Sequence, residues 1–248
     1  SNFIDPTPDG FTVSNLGNFQ TFVYMAIRRP HKPATVATDV FAIDTKSAAS
    51  GNTPQYTSNF PVDFAIRRNN INSQDSPEIV TRLTNAFQYT NGTSADSSGG
   101  STFLDYFAYN NGWANATNVD SNDYLWMFKR CPGFFDVVAY DGSGTAGLIP
   151  HNLGDEPKMM IVKRRDGIPH WQWWHYSLGA GGLIQSAGTT SSGGYTTVPH
   201  WNNTLPTATH FSVGTDGDVN GSSGKYIAYL FGTLNGISKV GTYSGTGS

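Results

Sequence analysis

Apolar residues fall along this chain in short, separated runs. Residues 22–27, 124–128 and 226–231 are each a few aromatic and aliphatic side chains bounded by Gly, Asn, Asp or Pro, and they recur about a hundred residues apart. Runs of this length are too short for a globular helix and read as buried strands. Between them lie further short runs separated by clusters of Gly, Asn, Asp and Pro, and no stretch keeps a helical period. The one helix candidate, 77–87, opens with β-branched Ile79, Val80 and Thr81 and alternates irregularly, so it is assigned to strand or loop.

The runs also repeat. Pro61 to Arg68 matches Pro157 to Arg164 at a constant offset of 96 residues, the stretch 134–142 resembles 236–245, and Gly10-Phe11-Thr12-Val13 echoes His210-Phe211-Ser212-Val213. Self-similarity at a fixed period indicates an array. The expected organisation is the closing strands of a preceding repeat over 1–33, one β-sandwich repeat over 34–134, and another over 135–248 that ends in the start of a linker. The fold class is all-β: tandem antiparallel β-sandwich, jelly-roll-like repeats of about a hundred residues. The chain starts without Met and ends in Gly245-Thr246-Gly247-Ser248, so it is expected to be a fragment of something longer.

Composition narrows the partners. Charged residues make up 13% of the 248, and 28 Gly with many Ser, Thr and Asn take the surface positions. A formal charge of −3 without a basic run leaves no footprint for nucleic acid. The single cysteine, Cys131, has no partner for an internal disulfide. No apolar run is long enough for a spanning helix, and no leader pattern is expected at the start.

One longer pattern resembles a known family. It runs from Gly133 to Tyr140 and Ile149 to Arg165, and resumes at Trp201-Asn202-Asn203-Thr204-Leu205-Pro206-Thr207 and Tyr226 to Phe231. Together these resemble a repeated β-domain of tail-fibre and other appendage proteins of tailed bacteriophages, marine phages and cyanophages above all. The clear resemblance covers roughly 133–248. It implies a virion structural protein, extracellular on the particle, assembled from identical chains as a homotrimer or other homo-oligomer beside other virion proteins, with a role in host contact. It brings no catalytic residues and no cofactor.

The chemistry in the residues themselves is sparse. The densest cluster, Trp171-Gln172-Trp173-Trp174-His175-Tyr176, has two readings: Trp171, Trp174 and Tyr176 stack on a host surface glycan, or Trp171, Trp173 and His175 alternate inward along a strand and fill a core. Asp216-Gly217-Asp218-Val219-Asn220-Gly221 opens like a calcium loop, but position twelve is Ile227 where a bidentate Glu is required, so no metal is assigned there. His31, His151, His170, His175, His200 and His210 are scattered and assigned to surface or packing. Asp136 and Asp141 are weak candidates for a carboxylate pair. The basic residues that follow apolar strands, among them Arg67, Arg68, Arg130, Lys163, Arg164 and Arg165, are either partners for acids on a neighbouring chain or polar strand ends that keep an edge soluble. The expected function is a non-enzymatic structural part of a tail fibre or similar appendage, adhesive through many weak contacts. The alternatives are a carbohydrate-binding module, a capsid decoration fibre, and a glycan-cleaving tailspike, which would normally carry a β-helix pattern absent here.

Overall fold

The computed structural model describes residues 3–7, 10–14, 33–45, 54–69, 76–97, 107–114, 123–186 and 200–246. An N-terminal antiparallel pair, β1 (Phe3–Thr7) and β2 (Gly10–Ser14), is followed by two sets of strands. The first set is β3 (Phe41–Thr45), β4 (Tyr56–Thr57), β5 (Phe64–Asn69), β6 (Glu78–Thr81), β7 (Ala86–Tyr89), β8 (Gly112–Trp113) and β9 (Asp123–Phe128). The second is β10 (Phe135–Asp141), β11 (Gly147–Pro150), β12 (Met159–Arg164), β13 (Trp171–His175), β14 (Ile184–Ser186), β15 (His210–Val213), the one-turn helix α1 (Gly217–Asn220) and β16 (Lys225–Phe231). The expected closing strand over 22–27 lies outside the described residues.

Both sets have the same connectivity. The first forms a five-stranded sheet in the order β3-β9-β5-β6-β7 and a two-stranded sheet β4-β8; the second forms β10-β16-β12-β13-β14 and β11-β15. Every pairing is antiparallel. The protein is therefore all-β with an antiparallel, sandwich-like arrangement. The segment 77–87, expected as strand or loop, is the hairpin of β6 and β7, turned by Asn85 at φ 46°.

The pairing register refines the correspondence between the halves. Phe64 and Met159 occupy equivalent places, opposite Phe128 and Phe231 respectively. Phe64 thus matches Met159, one position away from the Met160 implied by aligning Pro61 with Pro157. The difference matters because a one-residue slip sends every side chain to the other face. Phe64, Ile66, Met159 and Ile161 all contribute to one core, while Ala65 and Met160 belong to two others.

Those three cores explain the layering. In each half the five-stranded sheet packs its outer face on its own two-stranded sheet: Tyr56 and Trp113 cover Ala65, Leu125 and Met127 in the first, and Phe211 and Val213 cover Met160, Val162 and Leu230 in the second. The third core lies between the two five-stranded sheets, which face each other through equivalent surfaces. Phe64 is its centre, with ring centroids 5.1 Å from Phe135, 5.0 Å from Tyr229 and 5.1 Å from Phe128. Sheets apolar on both faces must be covered twice, and here the second cover is the other half of the same chain.

Candidate functional site

The inner faces of the two large sheets meet tightly around Phe64 and Phe135 but part further along β5 and β9. Alternation puts Ile66 and Arg68 of β5 on the same face as Tyr124 and Trp126 of β9, and the register sets Ile66 beside Trp126 and Arg68 beside Tyr124. On the facing sheet Trp173 of β13 forms part of the opposite wall. Between them is an apolar cleft of about 280 Å³ floored by Phe64, Ile79 and Ile161. Trp126 in the wall of the cleft is 41% exposed, its cross-strand neighbour Ile43 on β3 is 59% exposed, and exposed Arg68 adds a cation to the lining. Such a cleft offers ring faces for stacking and few hydrogen-bonding groups. A second, shallower hollow of about 310 Å³ lies beside Trp173, Trp174 and His175, with Tyr243 on its rim.

The aromatic cluster at 171–176 does not present the platform expected of a glycan site. Trp171 and Trp174 are buried, at 1% and 2% exposure, and they point to opposite faces of β13: Trp171 into the core between the sheets, Trp174 into the core of its own half. Both indole N–H groups are satisfied inside, Trp171 donating to the Tyr89 and Gly92 carbonyls and Trp174 to that of Gly179. Tyr176 alone is exposed, in a short turn capped by the His175 ring. Because β13 has a core on each side, alternation buries both sets of its residues. Trp126, which the sequence offered only as a closing-strand residue, is the exposed tryptophan.

The basic strand ends are engaged within the chain. Arg67 pairs with Glu78 at 2.9 Å and Asp123 at 3.0 Å, Arg130 with Asp136 at 2.6 Å, Arg164 with Asp166 at 2.7 Å and Arg165 with Asp96 at 2.7 Å. Lys163 is fully buried, its ammonium donating to the carbonyls of Thr93 and Arg164 at 3.0 and 3.1 Å, and burial pushes its pKa down to about 8. Arg68 remains at the surface, and Arg28 and Arg29 lie outside the described residues. The basic residues that follow apolar strands were legible in the sequence as charges; the acids they select were not.

The weak carboxylate pair separates: Asp136 is buried against Arg130 and accepts from the Asn152 N–H at 2.7 Å, while Asp141 is exposed beside Lys225. His151 packs inside, with Nδ1 accepting from the Leu153 N–H and Nε2 meeting the Thr207 carbonyl. His175 and His210 bond neighbouring hydroxyls. His31 lies outside the described residues.

The segment 216–221 forms the helical turn α1, and the third of its alternate oxygens, that of Asn220, turns away to accept from the Ser143 N–H at 2.9 Å. Asp216 caps the turn by accepting from Asp218 N–H at 2.8 Å, while the Asn220 amide donates the other way, to Thr145 and Gly214 carbonyls. Instead, Asp216 and Asp218 meet His200, whose Nε2 is 3.3 Å from Asp216 Oδ1; one ligand-capable atom from each of the three lies within 4.8 Å of the others. Burial, and then the Asp216 charge, raise the pKa of Asp218. No local spacing reveals this cluster, because His200 arrives from the far side of β15.

A family model described as a domain of unknown function, DUF7483, matches residues 61–248. The chain belongs to this family. The family's span begins just before β5 and takes in both five-stranded sheets apart from β3, so the cleft lies inside it. No curated protein and no solved structure matches the chain.

Proposed function

We propose that this chain is a structural and adhesive segment of a virion appendage, a tail fibre or a similar fibre, and that it performs no catalysis. The observation that carries the reading is the pairing of two identically connected halves through equivalent apolar faces. Such pairing makes a stiff block without an internal disulfide, since Cys131, the single cysteine, is buried. Stiff blocks in series span distance, and several chains side by side multiply weak contacts. The resemblance of 133–248 to phage appendage domains supports the same assignment. In this reading identical chains associate, and the particle is the setting.

The experiment is multi-angle light scattering on the purified chain across a dilution series. A trimer or other defined oligomer that persists on dilution supports the fibre. A folded monomer at all concentrations overturns that part of the reading.

A second reading, a carbohydrate-binding module, is favoured by the cleft walled by Trp126 and Trp173. Ring stacking there would hold the apolar face of a sugar while Arg68 reaches its hydroxyls. Titration with a panel of bacterial surface oligosaccharides, repeated on Trp126→Ala, tests it: binding that the substitution weakens at least tenfold supports a glycan site, and binding unaffected by it excludes this cleft.

A further inference from the structure

We infer that His200, Asp216, Asp218 and Gln172 form a binding site for one divalent transition-metal cation of the zinc class. The imidazole and the two carboxylates come together from three places in the fold: the approach to β15, the N-cap of α1 and its first turn. The independent observation is Gln172. This residue of β13 is fully buried, its Nε2 donates to Asp218 Oδ2 at 2.7 Å, and its Oε1 has no hydrogen-bond partner among the described residues. A buried amide oxygen without a donor is costly, of the kind that is normally satisfied by protein, water or an ion. Nε2 is the atom that faces the cluster, donating to Asp218 and, at 3.4 Å, to the His170 carbonyl; when a cation takes over the Asp218 oxygen, a half-turn about the last side-chain bond exchanges the two amide atoms, turning Oε1 toward Asp218 and Nε2 to the position Oε1 now holds.

The donor set then consists of one imidazole nitrogen, two carboxylate oxygens and one amide oxygen. Four donors of nitrogen and oxygen suit a tetrahedral cation of the zinc class, whereas Ca²⁺ takes six to eight oxygens. Two carboxylates facing one another at low exposure repel, and the cation removes that repulsion. Its consequence is structural: β13, the chain entering β15, and α1 become tied at one point, on the opposite side of β13 from Trp171. This site is separate from the cleft and independent of the adhesive reading.

The test uses the whole chain, stripped of metal with a chelator and dialysed. Isothermal titration with Zn²⁺ is expected to give one site, a rise in Tm of several degrees, and at least tenfold weaker binding of Ca²⁺. His200→Gln and Asp218→Asn are each expected to weaken Zn²⁺ binding tenfold or more, with far-ultraviolet circular dichroism confirming the fold. Should a variant fail to fold, Co²⁺ added to the unsubstituted chain is the second reading: a visible band that saturates at one equivalent and is displaced by Zn²⁺. Absence of Zn²⁺ binding, binding unchanged in both variants, preference for Ca²⁺, or absence of a Zn²⁺-displaceable Co²⁺ band each overturns the inference.

Discussion

Asp96 and Arg165 hold each other twice: the Arg165 guanidinium donates to the Asp96 carboxylate at 2.7 Å, and the Asp96 backbone N–H donates to the Arg165 carbonyl at 2.7 Å. Asp96 follows β7 in the first half and Arg165 follows β12 in the second, so this double contact ties the halves. It belongs to a wider clamp in which the end of β7 and the segment after it lie over the inner face of the other sheet. There Thr93 receives the Lys163 ammonium, and Tyr89 and Gly92 receive the Trp171 indole N–H.

Asp96→Ala removes the charged half of that contact and leaves a partly buried guanidinium unpaired. The expected loss is about 1–3 kcal/mol, read as a lower midpoint in urea. A midpoint unchanged within error would mean the carboxylate adds nothing beyond the backbone bond.

Phe64 occupies the centre of the core between the sheets, touching rings from both halves. Phe64→Ala is expected to cost about 3–5 kcal/mol, whereas Ile43→Ser at an exposed position of β3 should shift stability by less than about 0.5 kcal/mol. Because the core is shared, both sheets should melt together when Phe64 is truncated. Two separated transitions in the unsubstituted chain would argue against a common core.

Burial lowers the Lys163 pKa from 10.5 to about 8 in the folded chain. Between those values the unfolded chain holds a proton that the folded chain has released, so raising the pH through this window stabilises the fold. Below pH 8 the cost of the buried charge is fully present. The difference in unfolding free energy between the unsubstituted chain and Lys163→Met should therefore rise from pH 8 to 10.5. A difference independent of pH would show that the ammonium is not desolvated.

Trp113, Trp171, Trp174 and Trp201 are buried, and Trp126 is open to solvent. Trp126→Phe should remove most of the fluorescence that acrylamide quenches, while Trp171→Phe should remove little. The reverse result would place the 171–176 cluster at the surface.

Strand content was readable because it depends on local composition: short apolar runs between turn-forming residues do not support helices. That 77–87 is not a helix was legible for the same reason, since β-branched Ile79 and Val80 resist one; that its strands form a hairpin was not. The charged strand ends were visible as charges, yet their partners, such as Asp96 for Arg165, lie far away in sequence. Trp171 and Trp174 were open to a wrong reading as a common platform because alternation tells which residues share a face but not whether both faces are covered.

The chain's sequence by itself determined that it folds as antiparallel strands and that its segments echo one another, since period-two alternation and turn chemistry act over a few residues. Only the tertiary structure decided which echo is in register, that the two halves bury the same face against each other, and that His200 meets Asp216 and Asp218. These depend on contacts between segments many residues apart, where the free energy of covering an apolar face selects the partner and no local spacing records the choice.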